Sequence, residues 1–305
     1  MERTNADVDQ GGLAALVRRL APLRRFGPLI GLVLLGLAVA VVVRGGGFGA
    51  ALAALKSAPF GTIAILLASV LASVFLTGTV FWLLTCRFGP VPFGEMQALM
   101  ASTTLANYLP LRPGLFGRIA YHKLRHDIRA RDALRTVFEA MALSGLALGV
   151  AIPLLALGAK FGLPLLITLG APALVGLAAC VVAPFRALAL AATLRYAEAM
   201  LTALRYHLAF ELVGTPVSAQ TSVAIACVSM AASLVPFVSN GIGLREWAIG
   251  LLAPVLTGYQ VEQGIVAELV NRAAEVAMVI PTGLIGAWAL WRRDRATPRS
   301  PDRAP

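Results

Sequence analysis

Apolar runs dominate this chain, and most are longer than a soluble core can use. Residues 28–43, 59–85, 136–158, 163–184, 187–213 and 262–291 each read as long, mainly apolar stretches rich in Leu, Ala, Val, Ile and Gly. An α-helix needs about 20 such residues to cross the hydrocarbon core of a bilayer. Within lipid every backbone N–H and C=O must be satisfied internally, so the choice narrows to helices or a closed barrel. Long segments that alternate apolar and polar residues are absent, which excludes an outer-membrane barrel. Composition agrees: 58% of residues are hydrophobic and 13% charged, with a mean hydropathy of +0.80, where a soluble domain carries about 25% charge. The expected fold class is all-α, a polytopic integral membrane helical bundle. Its abundant small residues suit close helix packing.

The net charge is +11. On a soluble protein it would point to nucleic acid, but here the basic residues flank the apolar runs, so they read as topology signals and no nucleic-acid partner is expected. Arg18–Arg25, Arg87, the stretch Lys123–Arg135, Arg186 and Arg292–Arg295 all fall on the cytoplasmic side if the six runs above cross fully. Both termini then lie inside, on an inner (cell) membrane. Residues 1–26 form a basic N-terminus, 27–292 the membrane domain, and 293–305 a Pro/Arg-rich tail expected to be disordered. The opening basic residues and Pro28–Val43 also fit a signal peptide. Because the run continues through Val41–Val43 into a membrane protein, an uncleaved first helix is the better reading. Residues 187–213 carry Arg195, Glu198, Arg205, His207 and Glu211, so this segment either spans or lies in the interface. If it spans, Glu198, Arg205 and Glu211 are expected to balance one another.

Two further segments, 96–118 and 217–252, are apolar but interrupted, at Pro110 and Pro236. They should enter and leave on the same side. They also resemble each other. Pro236 − Pro110 is 126, Arg245 − Arg118 is 127, Pro281 − Pro153 is 128 and Gly214 − Gly89 is 125. Residues 60–158 therefore repeat as 187–286, and under the charge-derived topology the repeat is inverted. Paired Gly/Pro-broken segments in an inverted repeat point to a transport site near the bilayer midplane.

The breaks carry chemistry. Gly114 with Gly117, and Asn240-Gly241 with Gly243, each form a turn before a helix start, where free N–H groups favour anions. Arg112 and Arg118 flank one turn and Arg245 the other; guanidinium groups bind phosphate bidentately. Glu139, Glu268, Arg272 and Glu275 are ionisable residues inside apolar runs, where charge is costly. Glu268, Arg272 and Glu275 share one helix face, so Glu268–Arg272 can also be a structural pair. His122 and His126 are i, i+4 on a basic segment that reads as a wet cytoplasmic helix; no metal site is expected there. Cys86, Cys180 and Cys227 are scattered and suggest neither a disulfide framework nor zinc. No Walker loop, GxGxxG, GxSxG or HExxH is present, so neither a cofactor nor catalysis by a known motif is expected.

The stretches Asn107-Tyr-Leu-Pro-Leu-Arg-Pro-Gly-Leu-Phe-Gly-Arg118 and Leu234-Val-Pro-Phe-Val-Ser-Asn-Gly-Ile-Gly-Leu-Arg-Glu246, followed by Asn271-Arg272, resemble the flippase-like membrane region of lysylphosphatidylglycerol synthases. The resemblance covers about residues 28–292. It implies movement of a lipid with a charged or sugar headgroup between leaflets. There are departures: Leu115 stands where the family usually has an acid, Asn240-Gly241 where it often has Gly-Gly, and the soluble aminoacyl-transferase domain does not occur. Lysyl-lipid synthesis is therefore not carried over.

The resulting expectation is a phospholipid or polyprenyl-phosphate headgroup held between the two breaks. Arg118, Arg245 and Arg112 would hold its phosphate. Asn107, Asn240 and Asn271 would hydrogen-bond it, on a frame that includes Gly114, Gly241, Gly243, Glu246 and Arg272. Glu139, Glu268 and Glu275 would pair with a cationic headgroup or carry a proton. The cargo is a membrane lipid, and a homodimer is one expected assembly. The competing reading is a non-transporting scaffold for a membrane-bound lipid-modifying or glycosyl-transfer enzyme.

Overall fold

The computed structural model describes residues 29–45, 49, 52–53, 56, 58–109, 112–181, 186–235 and 239–296. The sequence expectations for residues 1–28, for Pro110 and Pro236, and for 297–305 lie outside these. The described residues fold into helices: α1 (Leu29–Arg44), α2 (Phe60–Thr85), α3 (Phe93–Ala106), α4 (Pro113–His126), α5 (Ala130–Phe161), α6 (Leu165–Ala179), α7 (Arg186–Leu212), α8 (Ala219–Ser233), a short 3-10 turn (Ser239–Gly241), α9 (Leu244–Thr257) and α10 (Val261–Ala296). Four of them, α2, α5, α7 and α10, are long and apolar enough to cross a membrane. Of the six expected crossings, 28–43 and 163–184 give the shorter apolar helices α1 and α6. The helix at 187–213 does not lie apart as an interfacial helix: α7 packs against α2, α5, α6, α8 and α10.

Helix ends differ from the ends of the apolar runs. α5 begins at Ala130, before the run at 136, and α10 continues through Arg292–Arg295 into the expected tail. Arginine supports a helical turn as well as leucine does, and at an interface its charged head reaches water while its stem stays on the helix. Loss of hydropathy therefore marks an interface and leaves the hydrogen-bond ladder intact.

α2 and α7 run antiparallel. Leu66 and Val70 near the start of α2 cluster with Leu208 and Leu212 near the end of α7, while Arg195 near the start of α7 reaches the Phe81 ring near the end of α2. Arg87, just past α2, pairs with Glu139 of α5. Glu95, at the start of α3, meets Tyr121 (2.7 Å) and His126 (2.8 Å) of α4 and Arg293 of α10 (3.4 Å). One end of the bundle thus gathers the basic residues of 87, 123–135 and 292–295.

α3 starts at that end and α4 returns to it. The pair α8 and α9 does the same from the opposite end, where Tyr259, just past α9, donates to the Pro216 carbonyl just before α8 (3.0 Å). At 14 or 15 residues and about 1.5 Å rise each, these four helices are about 21 Å long and fall short of a bilayer core.

α9 and α10 approach closely through glycine. A Cβ on Gly264 would sit 2.7 Å from the Ala253 Cβ and 2.9 Å from the Ile249 carbonyl oxygen; one on Gly250 would sit 2.6 Å from Ile265. Gly264→Leu should therefore cost about 1–3 kcal/mol by overpacking. Thermal unfolding of the purified protein in detergent should report a lower midpoint; an unchanged midpoint would mean this contact is looser than described.

Candidate functional site

The two interrupted helix pairs meet tip to tip inside the bundle. Arg112 lies at the first break in the left-handed region (φ 49°) and caps α4. Its guanidinium donates to the carbonyls of Ser233 (3.4 Å), the last residue of α8, and Val235 (3.1 Å), just past it. A cation suits the partial negative charge of a helix C-terminus. Asn107 accepts from the Leu115 N–H through Oδ1 (3.1 Å) and so caps α4 rather than standing free. Gly114 is required by closeness: a Cβ there would collide with the Thr103 carbonyl.

The second break uses positive φ at Asn240 (48°), Gly241 (67°) and Gly243 (80°). Backbone of this kind stores strain unless its surroundings hold it. Here they do, because the Asn240 carbonyl accepts from Arg272 (3.1 Å) and Trp247 donates to the Leu34 carbonyl of α1 (2.9 Å). A Cβ on Gly241 would press on the Arg245 stem (2.9 Å).

Below this break lies a network of buried charge. Arg245 donates to both oxygens of Glu275 (3.0 and 3.1 Å), approaches Glu268 (2.9 Å) and donates to the Tyr206 hydroxyl (3.2 Å). Arg272 bonds Glu246 (3.0 Å) and lies 3.7 Å from Glu268 and 3.8 Å from Glu275. Arg205 of α7 lies 3.5 Å from Glu275. Asn271 reaches Glu268 (3.3 Å) and Glu275 (3.5 Å). Three arginines face three glutamates, so the formal charges cancel. All six side chains are at most 10% exposed.

Beside the network is a polar cavity of about 260 Å³. Arg205, Arg245, Glu198 and Glu275 reach its wall, with the hydroxyls of Ser73, Thr77, Ser144, Thr202, Ser229 and Ser233. Three polar atoms of these wall residues have no hydrogen-bond partner: Ser73 Oγ, Arg205 Nε and Arg245 Nε.

Some expected site residues stand elsewhere. Arg118 is buried against the Phe81 ring (3.8 Å) and Met100 Sδ (3.1 Å), away from the cavity wall and with no carboxylate in ion-pair range among the described residues. Glu139 pairs with Arg87 and Arg135 at the basic end, where it neutralises interface arginines. The expected balance within 187–213 is replaced: Glu198 takes Arg195 (2.6 Å) and Thr77 (2.7 Å), Arg205 takes Glu275, and Glu211 faces outward. Nor is α4 a wet helix throughout. His122 is 1% exposed, and burial together with the adjacent Arg118 pulls its pKa down to about 4. Burial works against ionisation of Glu95, but the Tyr121 hydroxyl and His126 outweigh it and hold that carboxyl below the usual range.

Sequence reasoning missed Tyr206, Ser229 and Tyr108. The Tyr206 hydroxyl bridges Ser229 (2.6 Å) and Glu268 (2.5 Å), and Tyr108 donates to Glu275 (3.4 Å). The available signal was a recurrence of hydroxyl residues inside apolar runs.

A scan of protein families, a search of curated proteins and a search of solved structures each find no match for this chain.

Arg245→Ala would leave Glu268 and Glu275 partly uncompensated and should destabilise by about 3–5 kcal/mol. Arg118→Met strands no carboxylate and places an apolar side chain between Met100 and Phe81, so its stability should equal or exceed that of the unaltered protein. Equal thermal midpoints for the two variants would contradict this contrast.

Proposed function

We propose that this chain is a lipid transporter of the flippase-like kind, moving a phospholipid or polyprenyl-phosphate-linked lipid between leaflets of an inner membrane. The observation that carries the reading is the polar, charge-lined cavity at the meeting point of two interrupted helix pairs. Irregular backbone and ionised groups persist at membrane depth where they line a cavity or are buried in protein.

An inverted repeat supports the reading. The order long helix, broken pair, long helix occurs as α2, α3–α4, α5 and again as α7, α8–α9, α10. Exchanging the two groups maps packing pairs onto packing pairs: α2·α3 onto α7·α8, α3·α4 onto α8·α9, α4·α5 onto α9·α10, α2·α5 onto α7·α10, α2·α10 onto α5·α7, and α3·α10 onto α5·α8. The opposed directions of α2 and α7 make the relation inverted. We take the basic end as cytoplasmic and add α1 and α6 to the four long helices as shorter crossings, met by local thinning of the bilayer. Arg205 and Arg245 are then the cations nearest the headgroup, with Arg112 holding the two tips together.

The test is movement of labelled lipids in proteoliposomes, comparing anionic, zwitterionic and aminoacylated headgroups. Arg245→Lys keeps the charge and loses the planar fork. It should fold and slow movement of the preferred lipid by about tenfold, the factor that goes with a loss of roughly 1.4 kcal/mol. Wild-type rates in this variant would reject the role given to Arg245. No acceleration of any lipid by the unaltered protein would favour the scaffold.

A further inference from the structure

The polar cavity stands on a floor. On four helices, the residue about one turn nearer the basic end than a cavity-wall residue belongs to a single layer. These are Phe81 after Thr77 on α2, Met100 before Thr104 on α3, Ala140 before Ser144 on α5, and Arg195 before Glu198 on α7. Phe81, Met100 and Ala140 belong to one apolar cluster. Into this layer α4 projects Arg118, with Nη1 3.1 Å from Met100 Sδ and the guanidinium 3.8 Å from the Phe81 ring centre.

Charge does not close in the floor. The network of Arg205, Arg245 and Arg272 with Glu246, Glu268 and Glu275 cancels by itself. Glu198 takes Arg195 (2.6 Å) and accepts from Thr77 (2.7 Å). Arg118 is left 6% exposed, with no carboxylate in ion-pair range among the described residues. Two arginines against one glutamate leave one positive charge in excess. The Phe81 ring already faces a second cation, Arg195, at 5.6 Å. A shared ring and a thioether compensate a buried guanidinium only in part. A second observation has the same sign. His122, one turn further along the buried face of α4, is 1% exposed and neither ring nitrogen has a hydrogen-bond partner. The buried face of α4 thus offers donors and meets no oxygen acceptor.

We propose that this floor is an anion site between the cavity and the basic end, and that it takes a singly charged phosphate group. Arg118 is the cation that holds it, and His122 a further donor. The charge of the ligand follows from the excess of one: a phosphodiester of net charge −1 cancels it, and a zwitterionic headgroup leaves it in place. The site is shut in this conformation, because Phe81 and Met100 occupy the face of Arg118 that the anion takes. Opening it displaces a ring and a flexible thioether and breaks no ion pair. A lipid phosphodiester and free phosphate share this chemistry. That the phosphate belongs to a lipid entering the cavity rests on the transporter reading; the site itself does not.

The test measures binding to the purified full chain in detergent by its thermal midpoint. The ligands are dioctanoyl phosphatidylglycerol, dioctanoyl phosphatidylcholine and inorganic phosphate. The two lipids share chains and phosphodiester and differ in net charge. Phosphatidylglycerol should raise the midpoint at about tenfold lower concentration than phosphatidylcholine. Arg118→Met should weaken phosphatidylglycerol about tenfold, the factor that goes with losing one charge-assisted hydrogen bond, and leave phosphatidylcholine unchanged. Arg118→Lys keeps the charge and should retain the preference for phosphatidylglycerol. Arg131→Gln alters a side chain 86% exposed at the same end of the bundle and should change nothing. A midpoint raised by inorganic phosphate, and lost in Arg118→Met, upholds the site and assigns it to free phosphate. Equal response of Arg118→Met and the unaltered protein to phosphatidylglycerol overturns the site. So does a loss in Arg131→Gln as large as in Arg118→Met, which would place binding on the basic surface. Binding through Arg118 without lipid movement in proteoliposomes upholds the site and removes the transporter reading; lipid movement with no Arg118-dependent binding does the reverse.

Discussion

A buried carboxylate in a low-dielectric interior survives only beside a cation, and this molecule is arranged around that requirement. Glu246, Glu268 and Glu275 lie at or near full burial, and three arginines converge on them from α7, α9 and α10. The convergence fixes the second break. Arg245 is the second residue of α9, so its ion pairs to α10 determine where α9 must begin, and Arg272 holds the Asn240 carbonyl in the turn before it. The Tyr206 hydroxyl, between Glu268 and Ser229, ties α7 and α8 to the same centre. Removing one charge would strand another, so the network constrains the backbone more tightly than apolar packing of Ala and Leu could.

The interrupted helices make sense in this setting. A helix end inside a bundle leaves carbonyl or N–H groups unpaired, and here the opposite break or a nearby side chain takes them. Arg112 caps the carbonyl end of α8, and Asn107 accepts from the start of α4. The tips can therefore meet in the interior with their strained residues held. A polar cavity can stay open beside them, because the carboxylates on its wall are already paired with arginine.

Much of this was legible in the sequence, for reasons that also mark the limit. The helical class and the four long helices follow from run length. The breaks follow from Pro, Gly and Asn, since those residues report local backbone conformation. Glu268, Arg272 and Glu275 could be placed on one face because helical spacing is fixed. What spacing cannot give is the partner across a gap between helices. Arg245 was legible as a cation beside a turn, and its neutralisation by α10 was not. Arg118 looked equivalent to Arg245 by offset, yet its surroundings are Phe81 and Met100. His122 looked wet because its neighbours in sequence are basic; its neighbours in space bury it. The expected balance inside 187–213 failed for the same reason, since Arg205 found its carboxylate on α10.

That contrast between Arg118 and Arg245 leaves the two breaks unequally held. At the offset of 127 residues that relates Arg245 to Arg118, α5 carries Met141 where α10 has Glu268, and Leu148 where α10 has Glu275. The second break is consequently pinned by ion pairs, and withdrawing it separates charges at about 3–5 kcal/mol for a broken buried pair. At the first break, Arg112 holds peptide carbonyls and Tyr108 donates to Glu275. Hydrogen bonds of this kind are worth about 0.5–3 kcal/mol each, the upper part of that range applying where one partner is charged. Parting them leaves Glu275 with Arg205, Arg245 and Arg272. The cavity wall thus has one side, α9 with α10, pinned at its break by ion pairs, and one side, at Thr104 and Tyr108, held there by hydrogen bonds, while the far end of α3 is tied to α10 through Glu95 and Arg293.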